Sequence, residues 1–446
     1  MRMMVSAPFV IGPGLQVIEK GAVVYEYGRI LCAGSLEECK ERYTPDRHIH
    51  FDASVIAPGF VNAHMHLYGI LAHGLLPPVP VHSFEDFLEG YWWPMVENRL
   101  DVPMIEAAAR TSALELLDSG VTTVCDVLEA PFTGKRGLEC QAEVLRGLGM
   151  RGVLSLEASQ RISEQNGKEC LEDNLAFFLS TRDDPLISSM LCLHTAFTCS
   201  GSFSSSASAM AKANGAHIQL HLNESSYEPQ WCIEHRGMRS TQWYESIGIL
   251  GTELLAAQCV QMSDHEMDLL SSRGVRAIHV PLSNCEVGGG IAPVPDLLNR
   301  GITVALGSDG YVNNFFEIMR SAFLIHKGHR KSASVMPAST VWRMATEEGA
   351  AAVFGSHPHT GSLNEGMRAD FQVISLSDLP TEADSRNIFD QLVLFRNPRD
   401  VTHLCIEGIF VKEGGKLVTG EPYEASRASR KEARRLKEIG LSLAHT

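Results

Sequence analysis

Three short segments carry residue types that could bind a metal ion and move protons. In PGFVNAHMH, residues 58–66, His64 and His66 are separated by one residue, so both rings would point the same way on an extended strand. Such a pair can hold one ion, although an isolated H-x-H is equally typical of packed or exposed histidines. The apolar strand and Pro-Gly turn before the pair favour the metal interpretation modestly.

The second segment is HIQLHLNES, residues 217–225, in which Glu224 follows His221 at the end of another apolar run. Imidazole is a common zinc ligand, and a carboxylate beside an activated water can relay a proton. Taken alone, Glu224 is more typical of a helix-start acid or a solvated side chain.

The third segment is ITVALGSDG, residues 302–310, a buried apolar run that ends in Asp309. An acid in such a place needs a cation or hydrogen-bond donors. A helix N-cap or a turn before Gly310 explains Asp309 equally well when it is considered by itself. A chance coincidence of all three segments is much less common, so together they predict one metal site made of three imidazoles and a carboxylate.

Strands of a parallel sheet would position these side chains. Between the two ends of the chain, short apolar runs alternate with helical patterns, as in βα units around a parallel sheet. Eight candidate strands cover residues 60–66, 121–126, 152–157, 190–194, 217–222, 255–260, 275–280 and 302–307. Several end at a polar residue, among them Asp126, Glu157 and His194. In a (β/α)8 barrel these ends converge on one face, where such enzymes place their chemistry.

The two ends of the chain show a different sequence pattern. Residues 17–55, 367–376 and 402–418 show short apolar runs broken by turn residues, which predicts small β-hairpins. We expect an α/β protein with a (β/α)8 TIM barrel over residues 56–364. Residues 1–55 and 365–446 are predicted to form a small β-sandwich domain with a C-terminal helix.

Composition limits the possible partners. Apolar residues make up 44% of the chain and charged residues 20%, as is usual for a globular enzyme. The formal net charge of -15 argues against nucleic-acid binding and favours a small neutral or cationic substrate. The only basic run, residues 427–437, is predicted to be a solvated helix face.

Cysteine spacing and hydropathy indicate a compartment. Eleven cysteines without a C-x-x-C pair favour a reduced, cytoplasmic setting. The chain has no uninterrupted apolar run that spans a bilayer, so we expect no membrane partner.

The segments PGFVNAHMH, HIQLHLNES, SNCEVGGGIAPV, LGSDG and TGSLNEGMRADFQVISL resemble the amidohydrolase superfamily. More narrowly, they resemble its aminohydrolase branch, which includes methylthioadenosine/adenosylhomocysteine deaminases, guanine deaminase and the triazine hydrolases. The resemblance covers nearly the whole chain in the expected order. It implies one divalent ion, usually zinc and sometimes iron, bound by His64, His66, His221 and Asp309. No carbamylated lysine is implied, since LCLHTAFTCS at strand four has no lysine.

The resemblance also implies a mechanism. The ion lowers the pKa of its bound water toward ~7. Asp309 takes a proton from that water, Glu224 protonates a ring nitrogen of the substrate, and ammonia or an amine departs. His194 and His279 match histidines of the family, His194 one that contacts the substrate. A packed core histidine is the alternative for each.

One position departs from the family pattern. The family usually has a histidine at the end of strand six, whereas AAQCVQMSDHE has Gln258 there and Gln261 at the second histidine position. An amide forms hydrogen bonds but carries no proton at neutral pH. We therefore expect Gln258 to hold the substrate or the water by hydrogen bonding alone.

The loop after strand one, residues 68–98, is long and rich in aromatic side chains. It contains Pro77-Pro78, Trp92 and Trp93, and the two indoles could stack on a planar heteroaromatic ring. Packing of a helix onto the barrel, or a subunit interface, explains the same aromatic side chains equally well.

These observations predict a metal-dependent hydrolase that deaminates an aminated purine, pterin, pyrimidine or triazine. The same site could instead remove an alkylamine, a halide or a guanidine nitrogen. A third hypothesis is a catalytically silent metal-binding protein, which Gln258 leaves open. We expect a small-molecule substrate and a homo-oligomer.

Overall fold

The computed structural model describes residues 1–77 and 80–443, with side chains up to residue 440. Pro78 of the predicted loop and residues 444–446 of the predicted small domain lie outside the described residues. The N-terminal flank forms strands β1 (Arg2–Ile11), β2 (Val17–Glu26), β3 (Arg29–Ser35), β4 (Arg47–His50) and β5 (Ser54–Pro58).

Parallel strands of the middle region form a nearly closed barrel. They are β6 (Phe60–Met65), β7 (Val121–Leu128), β8 (Arg151–Ala158), β9 (Ile187–Ser189), β10 (Leu191–Leu193), β11 (Ile218–Leu222), β12 (Leu254–Gln258), β13 (Arg276–His279) and β14 (Val304–Leu306). Apart from β9, a short strand that pairs only with β8, they pair in chain order. Each of the eight predicted strands has a counterpart whose ends differ by a few residues.

Main-chain hydrogen bonds join the last barrel strand to the first. The amides of Ser308 and Asp309 both donate to the carbonyl of His64, at 3.1 Å each. The barrel strands are almost wholly buried, as expected of a parallel sheet covered on both faces. The predicted fold class is thereby confirmed.

The C-terminal flank completes a second sheet. It contributes β15 (Phe371–Ser375), β16 (Val401–Ile406), β17 (Ile409–Glu413) and β18 (Lys416–Leu417). β15 pairs antiparallel with β5, with Phe371 opposite Pro58, so both flanks belong to one mixed sheet. An apolar cluster unites Met3 and Val5 with Phe371 and Val373. The two flanks therefore pair as expected, while the domain division at residues 55/56 and 364/365 stays a prediction.

Helices surround the barrel and connect its strands. The described residues contain α1 (Leu36–Arg42), α2 (Phe84–Phe87), α3 (Trp93–Met95), α4 (Val102–Asp118), α5 (Lys135–Leu148), α6 (Glu164–Ser180), α7 (Gly201–Asn214), α8 (Tyr227–Arg236), α9 (Ser240–Ser246), α10 (Asp264–Arg273), α11 (Pro281–Glu286), α12 (Val294–Asn299), α13 (Phe315–Arg330), α14 (Ala338–Ala345), α15 (Glu347–Phe354), α16 (Ile388–Phe395) and α17 (Pro422–Leu443). α4 begins after the capping side chain of Asp101, which accepts from the Met104 amide at 3.1 Å. It ends just before Gly120, whose φ of 92° suits a glycine.

The C-terminal helix α17 packs against α4 and carries the basic run. Arg435 donates two hydrogen bonds of 2.6 Å to Asp101, and the hydroxyls of Thr111 and Ser429 lie 2.7 Å apart. Arg427 and Lys431 are exposed, in keeping with a solvated helix face. Within the part of the chain that the structure describes, no helix is both long and apolar enough to cross a membrane.

A buried ion pair joins the barrel to the flanking sheet. Arg151 at the start of β8 donates to Asp370 through Nε and Nη2, at 3.1 and 3.0 Å, and also contacts Glu407. Asp370 immediately precedes β15 and is fully buried. The pair therefore ties the bottom of the barrel to the flanking sheet.

Candidate active site

Three histidines converge where β6 and β11 end. The possible ligand atoms of His64, His66 and His221 all lie within 4.8 Å of one another, and all three residues are buried. His64 is on the first barrel strand, His66 directly follows that strand and His221 is on the fifth, so the parallel strands bring the three rings to one end of the barrel. The histidine group predicted from the sequence is thus assembled by the fold.

The hydrogen bonding of these rings suits metal binding. Nδ1 of His66 bonds to the carbonyl of Val127 at 2.9 Å, which directs Nε2 toward the group. Among the described residues, neither ring nitrogen of His64 has a hydrogen-bond partner, and neither does Nδ1 of His221. Buried, unpartnered nitrogens of this kind are costly unless a cation meets them. The donor set therefore fits a divalent ion.

Burial keeps two of these imidazoles neutral. Removal from water, and then the neighbouring His66, lowers the pKa of His64 to about 4. Burial and the neighbouring imidazoles also hold the pKa of His221 well below its usual value. Neutral imidazole has a free lone pair, which is the form that coordinates a metal.

Asp309 lies beside the histidine group with Gln258 behind it. Its Oδ1 is 3.0 Å from Nε2 of His66 and 4.0 Å from Nε2 of His64. Nε2 of Gln258 donates to Oδ2 of Asp309 at 2.9 Å. Gln258 and Asp309 have φ values of 76° and 56°, in the left-handed region that costs energy for residues with side chains. The backbone at both strand ends is strained at the point where it presents these groups.

Glu224 follows β11 and lines the cavity beside Asp309. Removal from water, and then the charge of Asp309, raises the pKa of Glu224 well above its ordinary value. A carboxyl group whose pKa is raised holds its proton to higher pH and can donate it to a bound substrate. Asp309 and Glu224 can therefore act in different protonation states.

A cavity of about 960 Å³ opens over these residues. His66, His221, Glu224, Gln258 and Asp309 line its floor, and Trp92 is in its wall together with other aromatic residues of the predicted loop, Phe84, Phe87 and Tyr91. No lysine or arginine is among the described residues that line it. A planar substrate would meet aromatic walls and a markedly acidic interior.

The remaining predicted contacts divide into two groups. His194 lines the cavity, whereas Trp93 is outside the lining and packs on His194, with ring centroids 5.9 Å apart. His279 is also outside the lining, and its Nε2 bonds to Nε2 of His326 at 3.0 Å. The structure thus brings Trp92 and His194 to the cavity, and does not bring Trp93 or His279 there.

A second group of side chains adjoins the histidines on the opposite side from Gln258. Glu129, Glu157, His194 and His221 have ligand atoms within 4.8 Å of one another, and all four are buried. Burial raises the pKa of Glu129 to about 7 and that of Glu157 to about 8. The sequence pattern predicts Glu157 and His194 at strand ends, but it does not predict Glu129 there.

The position of Glu129 depends on where a strand ends. The sequence indicates a strand over residues 121–126, whereas β7 continues to Leu128 and Glu129 follows it directly. Asp126, the expected strand-end residue, instead accepts from the Leu67 amide at 2.6 Å and from Gln141 at 2.8 Å. The signal in the sequence is VTTVCDVLE itself, in which an apolar run resumes after Asp126 and stops at Glu129.

Comparisons with known proteins agree with this architecture. Residues 55–411 match the amidohydrolase family. The chain is 32% identical to a 5-methylthioadenosine/S-adenosylhomocysteine deaminase of Syntrophobacter fumaroxidans, with 96% of each chain covered. It is 30% identical to a 5'-deoxyadenosine deaminase of Methanopyrus kandleri, with 95% of this chain and 96% of the relative covered.

The fold is also found in a solved structure. An adenosine deaminase from Xanthomonas campestris with bound zinc superposes with a TM-score of 0.88 at 22% identity, with 98% of each chain covered. With the family match extending over most of the chain, these findings show that the protein belongs to the amidohydrolase family.

Proposed function

We propose that this protein is a metal-dependent deaminase that releases ammonia from an aminated heterocycle, most closely a purine. The observation that carries the proposal is the buried group of His64, His66 and His221, whose unpartnered nitrogens lie beside Asp309 at the floor of the cavity. The deaminase names of the relatives support the reaction, and their adenosine-derived substrates support the ring class.

In this proposal His64, His66, His221 and Asp309 hold one divalent ion, with zinc favoured. Imidazole and carboxylate ligands suit zinc, and the Xanthomonas deaminase was solved with zinc bound. When bound, such an ion supplies Lewis-acid activation of water. In this proposal, side chains of the protein carry out proton transfer and position the substrate.

Three side chains divide the remaining work. Asp309 accepts a proton near the histidine group, and its carboxylate is held in place by the Gln258 amide at 2.9 Å. Glu224 donates a proton to a ring nitrogen, which makes the ring carbon a better electrophile. Gln258 acts as a fixed hydrogen-bond donor that transfers no proton. The aromatic wall that includes Trp92 packs on the ring and excludes water.

A substrate screen tests the proposal. Purified protein of measured metal content is incubated with adenosine, 5'-deoxyadenosine, guanine, pterin and cytosine, and ammonia is measured. We expect release from at least one purine. Release of chloride or of an alkylamine from substituted triazines, without ammonia from any ring, would favour the alternative leaving groups. The predicted homo-oligomer is tested separately by light scattering.

A further inference from the structure

Three buried polar side chains join the ends of neighbouring barrel strands. Asn223 follows β11, Glu228 lies on α8 and Ser240 is the first residue of α9, with exposed fractions of 0%, 3% and 0%. They are not among the described residues that line the cavity, and the proposed deamination gives them no role. We call Asn223, Glu228 and Ser240 the strand-end clamp.

Glu228 bridges the segments that follow two strands. Its Oε1 accepts from the amide of Ala196 at 2.9 Å, and its Oε2 accepts from the amide of Asn223 at 2.5 Å. Ala196 follows His194 by two residues, and Asn223 directly precedes Glu224. A backbone N–H only donates, so both oxygens of the Glu228 side chain act as acceptors. This carboxylate therefore ties the chain beside His194 to the chain that carries Glu224.

Asn223 turns the main chain immediately before Glu224. Its φ of 52° is in the left-handed region, which asparagine tolerates better than most residues. Oδ1 of Asn223 accepts from the Ser240 hydroxyl at 2.6 Å, and its Nδ2 donates to Oε1 of Glu266 at 3.1 Å. These bonds, together with the one to Glu228, hold the turn in a single conformation.

Main-chain contacts extend the clamp to the next strand. The carbonyl of Asn223 accepts from the amides of Val260 and Gln261, at 3.2 and 2.8 Å, just beyond the end of β12. On another side, a Cβ at Gly289 would lie only 2.4 Å from the carbonyl oxygen of Glu224. The main chain that carries Glu224 is therefore held by its neighbours as well as by the clamp.

We propose that the strand-end clamp positions Glu224 for proton transfer. This inference rests on the proposed function, in which Glu224 is the proton donor, and makes Asn223, Glu228 and Ser240 its positioning residues. The direction of the Glu224 side chain depends on the turn at Asn223, which Glu228 holds against the segment after β10. A displacement of about 1 Å in a reacting group can cost about a hundredfold in rate.

The proposed metal ligand His221 is held independently of the clamp. It lies within β11, and its amide donates to the carbonyl of His194 at 3.0 Å. Loss of the clamp should therefore disturb Glu224 and leave the metal in place.

Glu228→Gln is the first test, because it keeps the size of the side chain. One oxygen becomes an NH₂ group that cannot accept, so either the Ala196 or the Asn223 amide loses its partner. Burial raises the pKa of Glu228 to about 7, so ammonia release is measured at pH 8. We expect kcat to fall about tenfold or more, with KM and metal content close to those of the parent. Glu234→Gln, exposed on the same helix, is the matched control.

A double-mutant cycle separates positioning from a general structural role. Glu224→Gln removes the proton donor, so adding Glu228→Gln to it should lower kcat no further. A structural role would lower kcat by the same factor in both backgrounds. Ser240→Ala removes only the donor to Asn223 Oδ1 and should show a smaller loss with the same non-additivity. It also tests the clamp if Glu228→Gln does not fold.

Crystal structures of the variants give a readout that needs no substrate. We expect the Glu224 carboxyl group to leave its parent position in Glu228→Gln and Ser240→Ala, and to keep it in Glu234→Gln. An unmoved Glu224 in both clamp variants, parent kcat, or equal losses in the two backgrounds of the cycle would overturn the inference. If parent and clamp variants release ammonia equally, the proposed function stands and this inference fails. If no aminated ring releases ammonia, the proposed function fails, and the position of Glu224 in the crystals still judges the clamp.

Discussion

Glu224 and Gln258 lie on either side of Asp309 and differ in whether they can carry a proton. A carboxyl group whose pKa is raised can donate one, whereas an amide can only orient its neighbours. The hydrogen bond from Gln258 to Asp309 supports the proposal that this glutamine orients the carboxylate, which does not require an imidazole. Each of these assignments can be tested by a single substitution.

Glu224→Gln should retain the metal and lose turnover by about a hundredfold or more, since the amide keeps the shape but removes the transferable proton. Ammonia release and metal content are measured on the same preparation. Glu234→Gln, at an exposed position of α8, is the matched control and should behave like the parent. A Glu224→Gln enzyme that turns over at the parent rate would make Glu224 a structural acid.

Gln258→Ala should lower turnover on the order of tenfold or more without releasing the metal, because Asp309 loses a fixed donor. Gln258→His should be tolerated, or should shift the substrate preference, since imidazole can also donate a hydrogen bond. Gln165→Ala, on the exposed face of α6, serves as the control. Parent activity of Gln258→Ala on every substrate would show that the amide is not coupled to the reaction.

The secondary-structure elements determine where these residues lie relative to one another. The first and last barrel strands meet through the His64 carbonyl, so the same junction closes the barrel and sets Asp309 beside the histidines. At the other end of the strands, Arg151 of β8 and Asp370 before β15 hold the barrel against the flanking sheet.

Arg151→Leu should destabilise the protein by about 3 kcal/mol or more, because it leaves Asp370 and Glu407 without their buried cation. The urea midpoint and the thermal midpoint measure the loss. Arg146→Leu removes a partly exposed pair with Asp184 and should cost about 1 kcal/mol or less. Equal midpoints for the two variants would contradict the role of the Arg151 pair. Turnover per folded molecule should stay close to that of the parent, since Arg151 is remote from the cavity.

At the scale of the whole molecule, both the stability of the fold and the activity are expected to depend on the proposed ion. The four proposed ligands come from the ends of the first, fifth and eighth barrel strands, so an ion that binds only the folded chain would stabilise the whole barrel. At a free metal concentration a hundredfold above its Kd, the gain is about 2.7 kcal/mol. This coupling gives a readout that does not need a substrate.

Dialysed protein should contain about one divalent ion per chain, and a chelator should lower its thermal midpoint by several degrees. Elemental analysis and a melting curve check both points. The double variant His64→Ala, His66→Ala should contain no ion, and its midpoint should not respond to the chelator. Active protein without metal would rule out the assigned site.

Much of the architecture follows from sequence pattern alone. Eight apolar runs alternating with helical patterns predict the barrel, because buried parallel strands must be apolar throughout. Short apolar runs broken by turn residues likewise predict the β-hairpins of the two flanks. Since the ends of barrel strands converge, the sequence alone places His64, His66, His221 and Asp309 at one end of the barrel.

Side-chain contacts between strands depended on the tertiary structure. Gln258 meets Asp309, and Glu129 meets Glu157 and His194, across distances in sequence that no local pattern encodes. Strand ends also differ by one or two residues from their predicted positions, and β7 continues two residues beyond its predicted end. Glu129, which follows β7, is therefore the strand-end residue in the cavity lining, whereas Nε2 of His279 bonds to His326 outside that lining. The sequence determined which residues could do the chemistry, and barrel closure and register decided which of them meet.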